Sequence, residues 1–279
     1  MKYLAVTVMA VCLCSLTSAE TGKWTYKGML AASYNQTQVS PNWPGGENNT
    51  SNWSAKLDAS AEKSFSKTNW LNILKTEYGK SKIAGGPQQE SSDLFKFDSI
   101  YTWKLNAIVD PFLSGSIETQ YSEFYDPATY IETAGVGRTI IEQKPHLLKT
   151  RAGVAFRQKF DKKELIVGQL NQYTSSVDNP KTAKIEEVKT GVGAEWVTNY
   201  EWLISENTKF ISEAKVFDAF DGGASVCWDS GLYVKLSKYF TLQLSYLAIY
   251  DYSGYSKPVW PNDIETRMTT AIGFSYNIF

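Results

Sequence analysis

Soft metal ligands are nearly missing from this 279-residue chain, which has one histidine and three cysteines. Cys12 and Cys14 fall in the first twenty residues, and only Cys227 lies further along. A zinc site draws three or four ligands from His and Cys, so none is expected, and the acidic residues show no calcium-loop spacing. No metal and no cofactor is predicted. A lone thiol cannot close an internal disulfide, so the fold is expected to hold without covalent staples.

An excess of either charge is missing too. The chain has 28 Lys plus Arg against 29 Asp plus Glu, a net charge of -1. With no dominant basic patch, nucleic acid is not an expected partner. Long apolar runs are absent after the first twenty residues, so no transmembrane helix is expected there. If the chain enters a membrane, it must do so as a closed barrel. Aromatic residues, by contrast, make up 14% of the sequence while the mean hydropathy is -0.31. Rings are abundant where aliphatic runs are not.

The N-terminus, MKYLAVTVMAVCLCSLTSAETG, has Lys2, an apolar stretch from Leu4 to Leu16, and small residues Thr17-Ser18-Ala19. This predicts a secretory signal peptide over 1–19, followed by a single domain over 20–279. A lipid-anchored reading through Cys12 or Cys14 is disfavoured, because the residues before them are not the usual small ones.

Period two recurs along the remainder. In NWSAKLDASAEKSF, the positions Trp53, Ala55, Leu57, Ala59, Ala61 and Phe65 alternate with Ser54, Lys56, Asp58, Ser60, Glu62 and Ser64. The stretches from Leu148 and from Val226 repeat the pattern. A helix could not keep these charges on one side, so strands are expected. Twelve segments fit: 24–39, 52–65, 69–80, 93–105, 111–124, 147–160, 163–173, 188–203, 207–219, 226–237, 239–252 and 264–279. Alternate connections are short, including an Asp161-Lys162 turn. The others are long and rich in Gly, Pro, Asn and Ser, among them 40–51 and 125–146. Tight turns at one end and long loops at the other are the pattern of an outer-membrane barrel.

Aromatics divide the same way. Trp24, Tyr26, Phe65, Trp70, Trp103, Phe160, Trp202 and Tyr239 are expected at the short-turn ends. Tyr34, Trp53, Tyr78, Tyr121, Trp228 and Tyr250 are expected at the long-loop ends, giving the two belts that membrane interfaces favour. The chain closes on AIGFSYNIF. Phe279 supplies a terminal aromatic, one residue out of phase with Ile272, Phe274, Tyr276 and Ile278.

If the apolar face meets lipid, the ionic face is enclosed, and twelve strands are expected to leave a narrow, partly occluded lumen. The sixth predicted strand puts Lys149, Arg151, Arg157 and Lys159 on that face with no acid among them. They are either neutralised across the ladder by neighbours such as Glu118 or form an anion-attracting wall. Asp98 and Glu195 complete the candidate pore lining. His146 is expected in a loop after Pro145. No distinctive Ser motif accompanies it, so a solvated histidine is expected and no catalytic residue is assigned.

The loop SPNWPGGENNTSNW sets Trp43 among turn-formers. Trp43 either anchors the loop at the interface while Pro44-Gly45-Gly46 reverses the chain, or joins Asn42 and Asn48 in a recognition surface for polar ligands such as sugars. This stretch, with NWLNILKTEYGKSK, Asp93 and PFLSGSIETQYSEF, resembles a family of uncharacterised outer-membrane barrels from the Bacteroidetes. That family carries an Asn-Trp-x-Gly-Gly-x-Asn motif, matched here by Asn42, Trp43, Gly45, Gly46 and Asn48. The resemblance covers roughly residues 24–160. It implies architecture and location, and no activity.

The sequence therefore predicts an all-β, antiparallel transmembrane β-barrel of about twelve strands in a Gram-negative outer membrane, both termini periplasmic. Outer-membrane lipid is the expected partner, with a small polar or anionic solute in a narrow channel. The rival readings are an occluded barrel binding a partner or glycan through its loops and, third, a lipid-modifying enzyme.

Overall fold

A computed structural model describes residues 22–37, 49–83, 86–105, 108–122, 126–170, 177–252 and 264–276. Twelve antiparallel strands follow in order: β1 (Trp24–Thr37), β2 (Thr50–Ser64), β3 (Thr68–Ile83), β4 (Gln89–Trp103), β5 (Asp110–Thr119) and β6 (Ala128–Gln143). Then come β7 (His146–Leu170), β8 (Val177–Ser205), β9 (Thr208–Ala219), β10 (Ala224–Lys235), β11 (Phe240–Tyr252) and β12 (Glu265–Tyr276). Each strand pairs with its sequence neighbours, and β1 closes on β12. Closure of β1 on β12 removes the free sheet edge that a hydrocarbon solvent penalises. Among the described residues, no helix is long and apolar enough to cross a membrane.

Burial runs opposite to that of a protein in water. Met268, Tyr34, Val154 and Trp196 stand on the outer face at 81%, 68%, 58% and 57% exposure, while Glu77 and Glu195 point inward at 4%. The registers carry this two-faced pattern from strand to strand. Leu30 on β1 lies beside Leu57 on β2 on the outside, and Ala31 beside Lys56 on the inside.

Aromatic contacts form a girdle at each end. At the short-turn end, Trp24 packs on Trp70 at 5.6 Å and Tyr101 on Trp103 at 4.9 Å. At the long-loop end, Trp53 meets Tyr78 at 6.1 Å and Trp228 meets Tyr246 at 5.6 Å. Phe160 is a correction. It pairs with Ala128 and stands edge-on to Tyr130 at 5.5 Å, so it belongs to the long-loop girdle.

The total of twelve strands is right although two of its parts are wrong. Residues 128–143, expected as part of a long loop, are strand β6. Asp161-Lys162, expected as a turn, lies inside β7, where these residues face Glu187 and Glu186 of β8. That dipeptide lacks the Gly or Asn that a two-residue hairpin turn uses, so the ladder continues through it. The predicted strands at 147–160 and 163–173 are thus one strand. Past Phe160, β7 has no β6 partner, and β8 gains its β9 partner only from Gly193. A two-stranded ribbon therefore rises above the rim, its ten β7 residues, 161–170, spanning about 33 Å.

Sharp bends shape the wall at three seams, one of them β8–β9, where a Cβ added to Gly193 would lie 2.2 Å from the Asp218 carbonyl oxygen. At Gly135 on β6 an added Cβ would lie 2.1 Å from the Ala152 carbonyl oxygen, and at Gly273 on β12 it would lie 2.3 Å from that of Leu30. Only glycine allows adjacent backbones to close so sharply on the inner side, which marks a barrel corner. The β6–β7 and β12–β1 bends lie half the ring apart, and side chains of β3–β4 and β9–β10 meet across the lumen between them, so the barrel is an oval with those two pairs as facing walls.

Candidate functional site

Each facing wall carries a juxtaposition that would repel if left alone. On β3–β4, Lys75 stands directly opposite Lys96, and on β9–β10, Glu213 stands directly opposite Asp229. Like charges paired across a ladder are destabilising. The two pairs answer each other through the lumen. Lys75 Nζ lies 2.9 Å from Asp229 Oδ2 and 3.9 Å from Glu213 Oε1, and Lys96 Nζ lies 3.8 Å from that same Glu213 oxygen. Asp98 joins at 4.0 Å from Lys96. This bridge ties the walls together across the oval's short axis. Its side chains keep 13–31% exposure, so it is wet.

Apolar residues fill in beside the bridge at each corner. Met29, Ala31 and Ala271 pack with Tyr233 near β12–β1. Ala155, Phe217 and Ala219 pack with Ile131 near β6–β7. Towards the long-loop mouth, Arg267 of β12 reaches Glu77 of β3 at 2.9 Å and donates to Ser92 Oγ at 3.3 Å.

The basic stripe is present on the inner face of β7, where Lys149, Arg151, Arg157 and Lys159 occupy alternate registers. Glu118 does not neutralise it: the register sets Glu118 opposite Lys96 on β4 and Thr129 on β6, two strands away from β7's cations. Glu195 of β8 is held between β9 and β6, by Lys215 Nζ at 2.8 Å and Thr133 Oγ1 at 2.5 Å, with Arg151 attracting it at longer range. Among the described residues, none of the four stripe cations has a carboxylate within 4.0 Å. Arg157 stacks on the Phe217 ring at 4.2 Å and donates to Ser225 Oγ at 3.3 Å. Arg151 lies 6.0 Å from the centre of the Phe112 ring, and its buried Nε has no acceptor among the described residues. Of the seven predicted lining residues, the structure gathers Asp98 into the bridge, ties Glu195 to Lys215, and leaves the four cations without a contact ion pair among the described residues, although Arg151 attracts Glu195 and Glu213, and Lys149 attracts Glu201, at longer range. Sequence reading named neither Lys75–Asp229 nor Lys96–Glu213 as pairs, because their strands are not neighbours.

His146 is also a correction. It opens β7 instead of lying in a loop, and its ring faces outward in the short-turn girdle. It lies 5.7 Å from Trp202 and stacks on Tyr200 at 6.0 Å, with Nδ1 2.8 Å from the Tyr200 hydroxyl. The tight Lys144-Pro145 turn puts it there. Asn42, Trp43, Gly45, Gly46 and Asn48 lie outside the described residues, as does the predicted signal peptide. No group of three or more potential metal ligands occurs among the described residues.

A closed sheet with rings at both ends, a greasy exterior and an ionic interior is the build of a transmembrane β-barrel. The chain belongs to the family described as protein of unknown function DUF481, which matches residues 44–276. No curated protein matches the chain. Solved structures similar to it include the translocator domain of autotransporter NalP from Neisseria meningitidis, at 8% identity and TM-score 0.43, covering 99% of this chain and 96% of that one. The COG4313 outer-membrane channel from Pseudomonas putida F1 follows at 5% identity and TM-score 0.43, covering 94% and 97%. The NanC porin gives 8% identity and TM-score 0.41, covering 90% and 100%.

Proposed function

We propose that this protein is a narrow outer-membrane channel for small polar solutes with a preference for anions. The observation that carries this reading is the β7 stripe, four lumen-facing cations with no carboxylate in ion-pair reach among the described residues. Rows of Lys and Arg bias a pore toward anions. The reading includes no catalytic step, and His146, held in the girdle, serves as an interface residue. It also includes a Bacteroidetes origin, in keeping with the Asn42–Asn48 motif.

The test is single-channel recording of the purified chain in planar bilayers under a potassium chloride gradient. The expected result is a small conductance whose reversal potential reports chloride preference, moving toward zero in the Arg151→Gln/Arg157→Gln variant. Absence of conductance at every voltage and salt concentration overturns the reading.

The bridge and the β7–β8 ribbon favour a second reading, a closed barrel that works above the rim by binding a surface partner or glycan. Under it, Trp43→Ala releases the captured partner while barrel folding is unchanged, and undiminished capture weighs against that loop.

A further inference from the structure

On the outside of the barrel, the β5–β6 connection is clasped down onto the wall. The Asp93 carboxylate accepts the backbone N–H of Tyr121 at 2.6 Å, that of Ser122 at 2.9 Å, and the Ser122 hydroxyl. The clasp lays Tyr121 across the outer face of β4, edge-on to Phe95 at 5.7 Å, with its hydroxyl donating to Thr76 Oγ1 at 2.7 Å. Tyr121 thereby walls an open cleft of about 550 Å³ with Leu30, Ala55, Leu57, Thr76 and Tyr78. That volume falls in the range of roughly 300–1,000 Å³ typical of small-molecule sites.

The register puts Leu30, Leu57 and Thr76 in one outward row and Ala55 beside Tyr78 in the next, so the cleft opens on the face that meets hydrocarbon. The small Ala55 side chain makes its floor. The Tyr121 and Thr76 hydroxyls satisfy each other, leaving a largely apolar lining that favours a hydrocarbon occupant over water. At the long-loop end, the Lys80 ammonium lies 5.7 Å from the centre of the Tyr78 ring. Glu90 is opposite Lys80 in the ladder and receives the Tyr78 hydroxyl at 3.4 Å, yet makes no ion pair with Lys80 among the described residues. An apolar trough with a cation at its watery end suits an amphiphile with an acyl tail and an anionic head. We propose that this cleft holds one acyl chain of a phosphate-bearing membrane lipid, with its phosphate on Lys80.

Native mass spectrometry of the delipidated full chain in detergent tests this with two probes, dipalmitoyl phosphatidic acid and dipalmitoylglycerol. The expected result is one retained phosphatidic acid, bound about tenfold more weakly by Ala55→Trp, which fills the floor. Tyr121→Ala, which removes a wall outside the ladder, is expected to act likewise should Ala55→Trp misfold. Lys80→Glu weakens the phosphatidic acid and leaves the diacylglycerol unchanged, and Val154→Trp on the outer face of β7, across the barrel, changes neither. Equal binding by wild type, Ala55→Trp and Tyr121→Ala overturns the proposal. So does a dimer that excludes lipid, which would make a second copy the occupant. Channel conductance depends on neither result.

Discussion

The lumen has two kinds of charged wall. Between β3–β4 and β9–β10, every cation of the bridge has an anion across the gap, and like charges sit side by side because their answer lies opposite. On β7, four cations line the interior with no carboxylate in contact among the described residues, Arg151 and Lys149 feeling Glu195, Glu213 and Glu201 only at longer range. Enclosed ions survive only when paired or wet. The bridge is both paired and wet and holds its two walls together, while the stripe has no contact ion pair among the described residues. The same residue types thus bind two walls together in one place and, under the channel reading proposed above, are left for recognition in the other.

Breaking the bridge should have the largest effect on stability. Glu213→Ala leaves Lys75 and Lys96 adjacent with Asp229 on the first and only the more distant Asp98 on the second, an expected loss of about 3 kcal/mol. Urea unfolding in lipid vesicles, followed by tryptophan fluorescence, measures it. Glu213→Met combined with Lys96→Met should recover most of the loss, and a harmless Glu213→Ala would show that the walls do not need each other. Bending the wall less sharply comes next. Gly135→Val drives a side chain into the Ala152 carbonyl and should cost about 2 kcal/mol, read as a lower folded fraction on unboiled gels. Gly115→Ala is the matched control, since its added Cβ meets nothing within 4 Å.

Smaller still is the outer surface. Trp196 Nε1 donates to Thr150 Oγ1 at 2.7 Å, and Trp196→Phe should lose about 1 kcal/mol in the same urea assay. The smallest effect belongs to the stripe. Lys149→Gln with Lys159→Gln should stay within about 0.5 kcal/mol, yet lower the chloride preference in bilayers. A stripe variant that unfolds as readily as Glu213→Ala would erase the distinction between the two walls.

Much of this architecture was legible, and the failures have physical causes. Alternation showed wherever one face carries ions and the other carries apolar side chains, as on β2. Strand β6 hid because both faces break the rule. Its inner side carries Ile131 and the glycines of a corner, and its outer side carries Glu132 and Arg138. The basic stripe could be read within one strand by parity alone. The bridge could not, since Lys75 and Asp229 are 154 residues apart on strands that share no ladder. Period two reports which face a residue occupies and is silent on what stands across the void.

The oval outline has a mechanical corollary. A ring of twelve strands has a fixed perimeter, and for a fixed perimeter the enclosed area grows as an ellipse approaches a circle. Parting Lys75 and Lys96 from Glu213 and Asp229 would therefore let the bore widen by rounding, hinged at the glycine seams, with every rung between neighbouring strands intact.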